Sequence, residues 1–358
     1  LAHSYRPNPS EDNDFALKEV NYTWEDGRAY ALLGPSGCGK TTLLNLISGL
    51  LTPTHGRVLF GDEDVTASST ADRNIAQVFQ FPVVYDTMTV EQNLAFPLRN
   101  RRMEASYVAE RVARIAKMIG LEADLKKKAR GLTSDLKQKI SLARGMVRDD
   151  VNAILFDEPL TVIDPHMKWE LRTQLKSLHR EFGHTMIYVT HDQTEALTFA
   201  EKVVVMHEGR VVQIGTPKEL FETPAHSFVG YFIGSPGMNF IPVTVAGNIM
   251  QMGDRTIHLA HDYGTPSGEL KLGIRPEFVR LTKGDGLPIR INRVQDAGRH
   301  KFVNATLFDT EINIAVDEGC EIEADMTSVN LDAEKISIFC DDWRIDGKSA
   351  GHVEGSAT

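Results

Sequence analysis

The apolar positions of the chain change period along its length, and each change marks an element. Ala29-Tyr30-Ala31-Leu32-Leu33 is an unbroken apolar run, the pattern of a short strand buried on both faces. Residues 15–33 together read as paired strands, with Glu25-Asp26-Gly27-Arg28 as the turn between them. Thr42-Leu43-Leu44-Asn45-Leu46-Ile47 gives a helix and Gly56 to Phe60 a strand. Ile75-Ala76-Gln77-Val78-Phe79-Gln80 gives another strand, stopped by Pro82. From about Val90 to Val147 the period becomes helical. Ala109, Val112, Ile115, Ala116 and Ile119 recur at steps of three and four, as one helix face does. Val151 to Asp157 is a further buried strand, and Lys168 to Phe182 a helix. Met186-Ile187-Tyr188-Val189-Thr190 and Val203-Val204-Val205-Met206 are two more apolar strands. Strands alternating with helices predict a parallel α/β core, interrupted by a helical insert at about 86–149.

Near Gly234-Ser235-Pro236-Gly237 the texture changes. Residues 235–346 are short β-rich runs divided by Gly, Asp and Pro turns, which predict a small all-β domain after an α/β domain at 1–234. Residues 347–358 read as a loose tail.

Between the first strand and its helix stands Gly34-Pro35-Ser36-Gly37-Cys38-Gly39-Lys40-Thr41-Thr42, a match to the phosphate-loop pattern G-x-x-x-x-G-K-[ST] in the right strand–loop–helix context. Glycines let backbone N–H groups close around phosphate oxygens, and the following helix adds the positive end of its dipole. Lys40 is placed to reach β- and γ-phosphates, and the Thr41 hydroxyl to ligate Mg2+. Ile154-Leu155-Phe156-Asp157-Glu158 is an apolar strand ending in two carboxylates. After a phosphate loop, the first suits Mg2+ and the second suits orienting or deprotonating an attacking water. His191 follows directly on a strand, and Gln80 ends one, its amide within reach of Mg2+ or water.

Length and charge narrow the class. At 358 residues the chain has room for two cores. A formal charge of −10 argues against nucleic acid as the main partner, because neutralising phosphates takes clustered Lys and Arg. Lys126-Lys127-Lys128-Ala129-Arg130 is the one dense basic run, and a solvated helix end accounts for it. Three cysteines, one of them inside the phosphate loop, suit a reducing compartment better than a disulfide scaffold. No apolar run reaches the length that spans a bilayer, and no leader pattern is present, so a cytosolic location is expected.

The order phosphate loop, strand-end Gln, helical insert, Asp-Glu, strand-end His resembles the ATP-binding subunits of ABC transporters over nearly the whole chain. The resemblance implies a P-loop ATPase core that uses ATP and Mg2+. It makes Tyr5 the aromatic that stacks on adenine and Gln80 the loop glutamine that couples the site to membrane subunits. It makes Asp157 a metal residue, Glu158 the catalytic carboxylate, His191 the switch histidine and Asp164 the D-loop aspartate. The second domain, with Leu272-Gly273-Ile274-Arg275-Pro276-Glu277, is similar to the OB-like regulatory domain of carbohydrate-importer ATPases. Implied partners are a second ATP-binding subunit, two membrane-spanning permease subunits and, indirectly, a solute-binding protein. The implied location is the cytoplasmic face of a bacterial inner membrane, with no nucleic acid involved. A non-transport ABC ATPase and a nucleotide-sensing scaffold are the rival classes.

One motif departs from the family. Where L-S-G-G-Q is expected, the chain has Leu132-Thr133-Ser134-Asp135-Leu136. In the family this signature covers the γ-phosphate held by the opposite subunit, so Asp135 would set a carboxylate near that phosphate. Two readings stay open: a weakened partner site, or a tolerated variant in which Leu136 packs inward with Ile140, Ala143 and Val147 while Asp135 favours the helix N-terminus. The unusual wording of 80–90 and 160–169, taken with the signature, resembles ATPase subunits of glycerol importers that pair two different ATPases. A sugar or sugar-phosphate importer is the alternative.

Overall fold

Each residue of Ala29–Leu33 (β1) is buried, as an all-apolar strand inside a two-sided sheet must be. A computed structural model describes residues 1–284, 286–323 and 325–349. It divides into two compact units, Leu1–Pro217 and Lys218–Thr358.

In the first unit, β1 leads into α1 (Lys40–Ser48), followed by the two-residue strands β2 (Leu59–Phe60) and β3 (Glu63–Asp64) and by β4 (Ala76–Val78). The insert is helical: α2 (Val90–Asn100), α3 (Ala105–Met118) and α4 (Ser134–Met146). Then come β5 (Ile154–Asp157), α5 (Pro165–Phe182), β6 (Met186–Thr190), α6 (Gln193–Phe199), β7 (Lys202–His207) and β8 (Arg210–Gly215). The main sheet runs β4-β5-β6-β1-β7-β8. Its first five strands are parallel, and β8 closes the edge antiparallel to β7. Because β5, β6 and β1 are neighbours in register, with Asp157 opposite Val189 and Thr190 opposite Leu33, their carboxyl ends finish level with one another.

Some expected elements differ. Residues 15–28 form no strand; their backbone partners come from scattered places, with His3 bridging Leu17, Lys18 N–H donating to Gly209 O at 2.7 Å, and Val20 N–H to Leu1 O at 2.8 Å. The strand expected at 75–80 stops at Val78, so Gln80 lies two residues beyond it. On α3 the buried face is Val108, Arg111, Val112, Ile115 and Ala116, and Ala109 points to solvent. The face begins one residue earlier because Arg111 is itself buried, its guanidinium donating to Val147 O at 2.9 Å and stacking 4.0 Å from the Phe182 ring.

The second unit is mostly β. A four-stranded sheet orders 343–345, 337–340, 270–274 and 239–242, and a five-stranded sheet orders 279–282, 328–331, 287–296, 300–307 and 310–317. Leu272, Ile274, Val303, Ile312, Ile314 and Ile338 lie at its centre. Two short helices, Pro217–Glu222 and Ser227–Phe232, precede these strands. Arg275 fastens them: its guanidinium donates to Phe221 O at 2.8 and 3.1 Å, to Gly230 O at 3.1 Å and to Ile233 O, and lies 4.1 Å from the Phe221 ring. Burial pushes this guanidinium down to about 10, which leaves it charged at neutral pH. This explains why the β unit starts at Lys218, ahead of the change in sequence texture at 234. Of the tail 347–358, Lys348–Ser349 pairs with His261–Asp262, and residues 350–358 lie outside the described residues.

Candidate nucleotide-hydrolysis site

The level carboxyl ends of β5, β6 and β1 lead into Glu158, His191 and the glycine-rich loop, with Asp157 the last residue of β5, and Gln80 lies two residues past the end of β4 beside them. Parallel sheets present ligand-facing residues at this edge.

The loop is glycine by necessity. A Cβ on Gly34 would stand 2.3 Å from Met206 O and 2.7 Å from Cys38 Sγ. Gly39 caps α1 at φ +100°, and a Cβ there would stand 2.7 Å from Ala16 O. Lys40 is buried, and its ammonium donates to Gly34 O at 2.8 Å and Pro35 O at 2.9 Å. The loop's own carbonyls therefore hold the cation inside the concavity that its N–H groups line. Ser36 and Gly37 form the open rim, while Cys38 is buried, and that burial pushes its thiol up. Thr42 is buried too, and its hydroxyl lies 3.1 Å from the Tyr5 hydroxyl. Tyr5 stands 64% exposed with His3 edge-on at 4.8 Å, so an aromatic face is open beside the phosphate loop.

Across the sheet edge, the Thr41 hydroxyl neighbours the Asp157 carboxylate and favours its charged form. Burial first, and then the neighbouring Glu158 charge, push the Asp157 carboxyl above its ordinary range, while Thr41 and Lys40 pull it back. A hydroxyl and a carboxylate this close form an oxygen donor set of the kind a hard cation such as Mg2+ takes, with phosphate and water completing its shell. Such an ion would supply charge neutralisation of the phosphates, and Thr41 and Asp157 are the residues that would hold it.

Glu158 follows β5 in the left-handed region, at φ +45°. Its N–H donates to Val189 O at 3.0 Å, and its carboxylate lies 3.2 Å from His191 Nδ1 and accepts from Thr161 Oγ1 at 3.3 Å. Acid and imidazole are thus paired at the sheet edge, with both side chains open to solvent on one side. Asp164 caps α5 by accepting from His166 N–H at 3.0 Å, with Pro165 at the first helical position.

At the altered motif, Leu132 precedes α4, Thr133 caps it by accepting from Leu136 N–H at 3.4 Å, and Ser134 and Asp135 fill the first turn. Ile140, Ala143 and Val147 are buried and Leu136 half-buried, as the apolar stripe requires.

Two further residues belong to this constellation. Gln138 is fully buried, and its amide donates to Pro159 O at 2.6 Å and Phe79 O at 3.4 Å, the carbonyls next to Glu158 and Gln80. It faces away from the apolar stripe of α4, so periodicity alone reads it as a solvent position. Glu195 is also buried and accepts from Thr190 Oγ1 at 2.9 Å, Tyr188 Oη at 3.0 Å and Lys168 Nζ at 3.0 Å. Asp192 caps α6 by accepting from Thr194 N–H at 2.8 Å and Glu195 N–H at 3.2 Å, which fixes the segment after His191. The spacing Asp192-x-x-Glu195 is a helix-start signal that could have marked it.

A phosphate loop, a Thr–Asp pair and a Glu–His pair on one parallel sheet edge define a P-loop nucleoside triphosphatase. The ABC transporter family model matches residues 17–161, and the MalK OB fold domain model matches residues 234–279. The sn-glycerol-3-phosphate import ATP-binding protein UgpC of Brucella abortus biovar 1 (strain 9-941) is 38% identical over 340 residues, 92% of this chain and 93% of that protein. The protein of the same name from Rhizobium meliloti (strain 1021) is 39% identical over 302 residues, 83% of this chain and 84% of that one. Among solved structures, cbiO1 from Clostridium perfringens, part of the ABC transporter complex cbiONQ, matches with a TM-score of 0.56 at 30% identity, over 62% of this chain and 88% of that one. The chain belongs to the ATP-binding proteins of ABC transporters, with an OB domain of the MalK type following its ATPase domain. It is an ATPase coupled to transport. No helix among the described residues is long and apolar enough to cross a membrane.

Proposed function

We propose that the chain is the motor of a bacterial glycerol importer, working as one half of an asymmetric ATPase pair at the cytoplasmic face of the inner membrane. Two ATP molecules close the pair head to tail, each between one phosphate loop and the opposite signature. Closure drives two permease subunits outward-facing, toward a solute-binding protein. Lys40 steadies the phosphates, Glu158 polarises water for in-line attack, and His191, held against Glu158, stabilises the transferring group. Tyr5 stacks on adenine, and Gln80 relays the state of the site.

The observation that carries the asymmetric reading is the first turn of α4, with Asp135 where the family has glycine. At about 5 Å and an effective dielectric near 20, a carboxylate repels one phosphate charge by about 3 kcal/mol. The helix dipole returns at most about 1 kcal/mol of that. The chain's own Lys40, Asp157, Glu158 and His191 are intact, so the cost falls on the nucleotide held by the partner.

Native mass spectrometry of the complex, purified from its own membranes through a tag on this chain, tests the pairing. One copy beside a different ATPase is the expected composition, and two copies without a second ATPase would overturn it. Asp135→Asn should lower the ATP concentration needed for half-maximal hydrolysis in the assembled transporter by about tenfold or more. A second reading of the solute, sn-glycerol 3-phosphate, draws support from the names of the 38–39% identical relatives. Uptake of labelled glycerol against labelled glycerol 3-phosphate, in a strain lacking this chain, separates the two.

A further inference from the structure

Helix α5 shows two opposite faces. Leu171, Leu175 and Leu178 point into the core. On the other side Trp169, Arg172, Thr173, Lys176 and Arg180 fall within an arc of about 100°, at 100° per residue. These residues, with Thr198 of α6, line a cavity of about 170 Å3. None of them belongs to the nucleotide site described above.

The cavity has the chemistry of an anion receptor. Three cations stand along two turns of one helix, and among the described residues none forms an ion pair with a carboxylate. Arg172, which lines the cavity, has its Nε shielded from solvent without a hydrogen-bond partner, so one of its donors is left unused. Lys176 Nζ has only a neutral acceptor, the carbonyl of Thr198 at 3.0 Å. Carboxylates are common in a chain of net charge −10, so a patch kept free of them is notable for its sign. Trp169 is 64% exposed at one end of the groove, 5.8 Å from the Arg172 guanidinium, and offers a face to a planar or carbon-rich group.

We infer that this groove binds a small phosphoryl-bearing effector, its phosphoryl oxygens taken by Arg172, Lys176 and Arg180 and its organic part laid on Trp169. The planar guanidinium groups match phosphate oxygens two at a time, and the cavity holds a phosphoryl group with a small substituent but no protein segment of any length. The position gives binding a route to the ATPase. α5 starts at the Asp164 cap, α6 follows His191, and Lys176 links the two helices through Thr198 O. An anion that draws Lys176 off that carbonyl loosens the link. The inference is independent of the solute and of the subunit composition proposed above.

Calorimetry on the full chain tests it, with the nucleotide loop filled by ADP and either inorganic phosphate or phenyl phosphate as the injected probe. Both should bind saturably, phenyl phosphate more tightly. R172Q/R180Q should weaken both probes by about tenfold per guanidinium removed while ADP affinity stays unchanged. Trp169→Ala should remove the advantage of phenyl phosphate and leave inorganic phosphate as it was, which separates an organic phosphate from the free ion as the intended ligand. Lys40→Ala should leave both isotherms unchanged. If the double variant does not fold, Arg180→Gln alone, at an exposed position, reads the same effect. The inference falls if neither probe binds saturably, if the cation variants bind as the parent does, or if binding disappears in Lys40→Ala, because the anion would then sit in the phosphate loop.

Discussion

Gln138→Leu asks whether a buried amide positions the catalytic edge or merely fills space. The parent side chain spends its NH2 group on two carbonyls, Pro159 O at 2.6 Å and Phe79 O at 3.4 Å, while Oε1 is buried without a partner. Leucine has a similar volume. Losing one good and one long hydrogen bond costs about 1–2 kcal/mol, and leaving Pro159 O bare costs about 1–3 kcal/mol more. Removing the orphaned Oε1 returns about 1–3 kcal/mol. With each figure at mid-range the sum is a loss of about 1.5 kcal/mol, which a folded ATPase domain tolerates. Function should suffer more, because the two carbonyls adjoin Glu158 and Gln80. A shift of about 1 Å in either segment is enough to cost on the order of a hundredfold in rate. The phosphate loop is untouched, so KM for ATP should hold while kcat falls by about tenfold or more. Urea unfolding of the full chain reads the first quantity, and steady-state hydrolysis in the assembled transporter reads the second. A kcat within about twofold of the parent, at equal stability, would refute the positioning role; a loss well above about 3 kcal/mol would refute the compensation.

Other substitutions probe neighbouring groups. Glu158→Gln should nearly abolish turnover while ATP binding persists, since Lys40 and the loop are unchanged; undiminished turnover in the assembled transporter would remove Glu158 from the role assigned to it. Asp157 carries a raised carboxyl, so the apo fold binds its proton more readily than the unfolded chain does. Its relative contribution is favourable in acid and is lost as pH rises through the raised value, so at neutral pH the buried charge is a cost. Asp157→Asn should therefore raise the apo melting temperature at neutral pH, with the gain shrinking toward acid, while Mg2+-dependent hydrolysis drops; coincident melting curves at neutral pH would contradict this. Arg275→Ala should destabilise the second unit by about 3–5 kcal/mol, because the carbonyls of Phe221, Gly230 and Ile233 lose a buried charged donor. Limited proteolysis within 218–349 should expose the loss.

What the sequence made legible was chemistry tied to backbone necessity. Gly34 and Gly39 stand where a Cβ has no room, and such positions leave a pattern in the chain that spacing alone recovers. The apolar strands carrying Asp157 and Thr190 were readable because burial on both faces leaves an unbroken apolar run. The rest depended on tertiary partners. Residues 15–28 look strand-like because Leu17 and Val20 are buried and Tyr22, Trp24 and Tyr30 pack edge to face, yet no single strand runs alongside them. Ala109 fits the period of α3, but the long stem of Arg111 takes the buried place instead. Gln138 lies on the polar side of its helix, and only the arrival of the 79 and 159 backbones makes that side an interior.

Glu158 shows why a site can be visible in composition and hidden in conformation. A non-glycine residue in the left-handed region costs about 1 kcal/mol, and nothing in the letters Asp-Glu announces it. An extended Glu158 would continue β5 and direct its side chain along the alternation of the strand. The reversal at φ +45° ends the strand in one residue and holds the carboxylate 3.2 Å from His191, the residue just past the end of β6. Three groups oppose relaxation: the Val189 carbonyl on the Glu158 N–H, Gln138 on the following carbonyl, and Thr161 on the carboxylate. The strain is therefore kept by contacts outside the strand, and loosening the fully buried side chain among them, Gln138, lets the backbone relax away from His191. That is why a substitution with little net effect on stability should cost turnover, and why the two measurements on Gln138→Leu have to be made together.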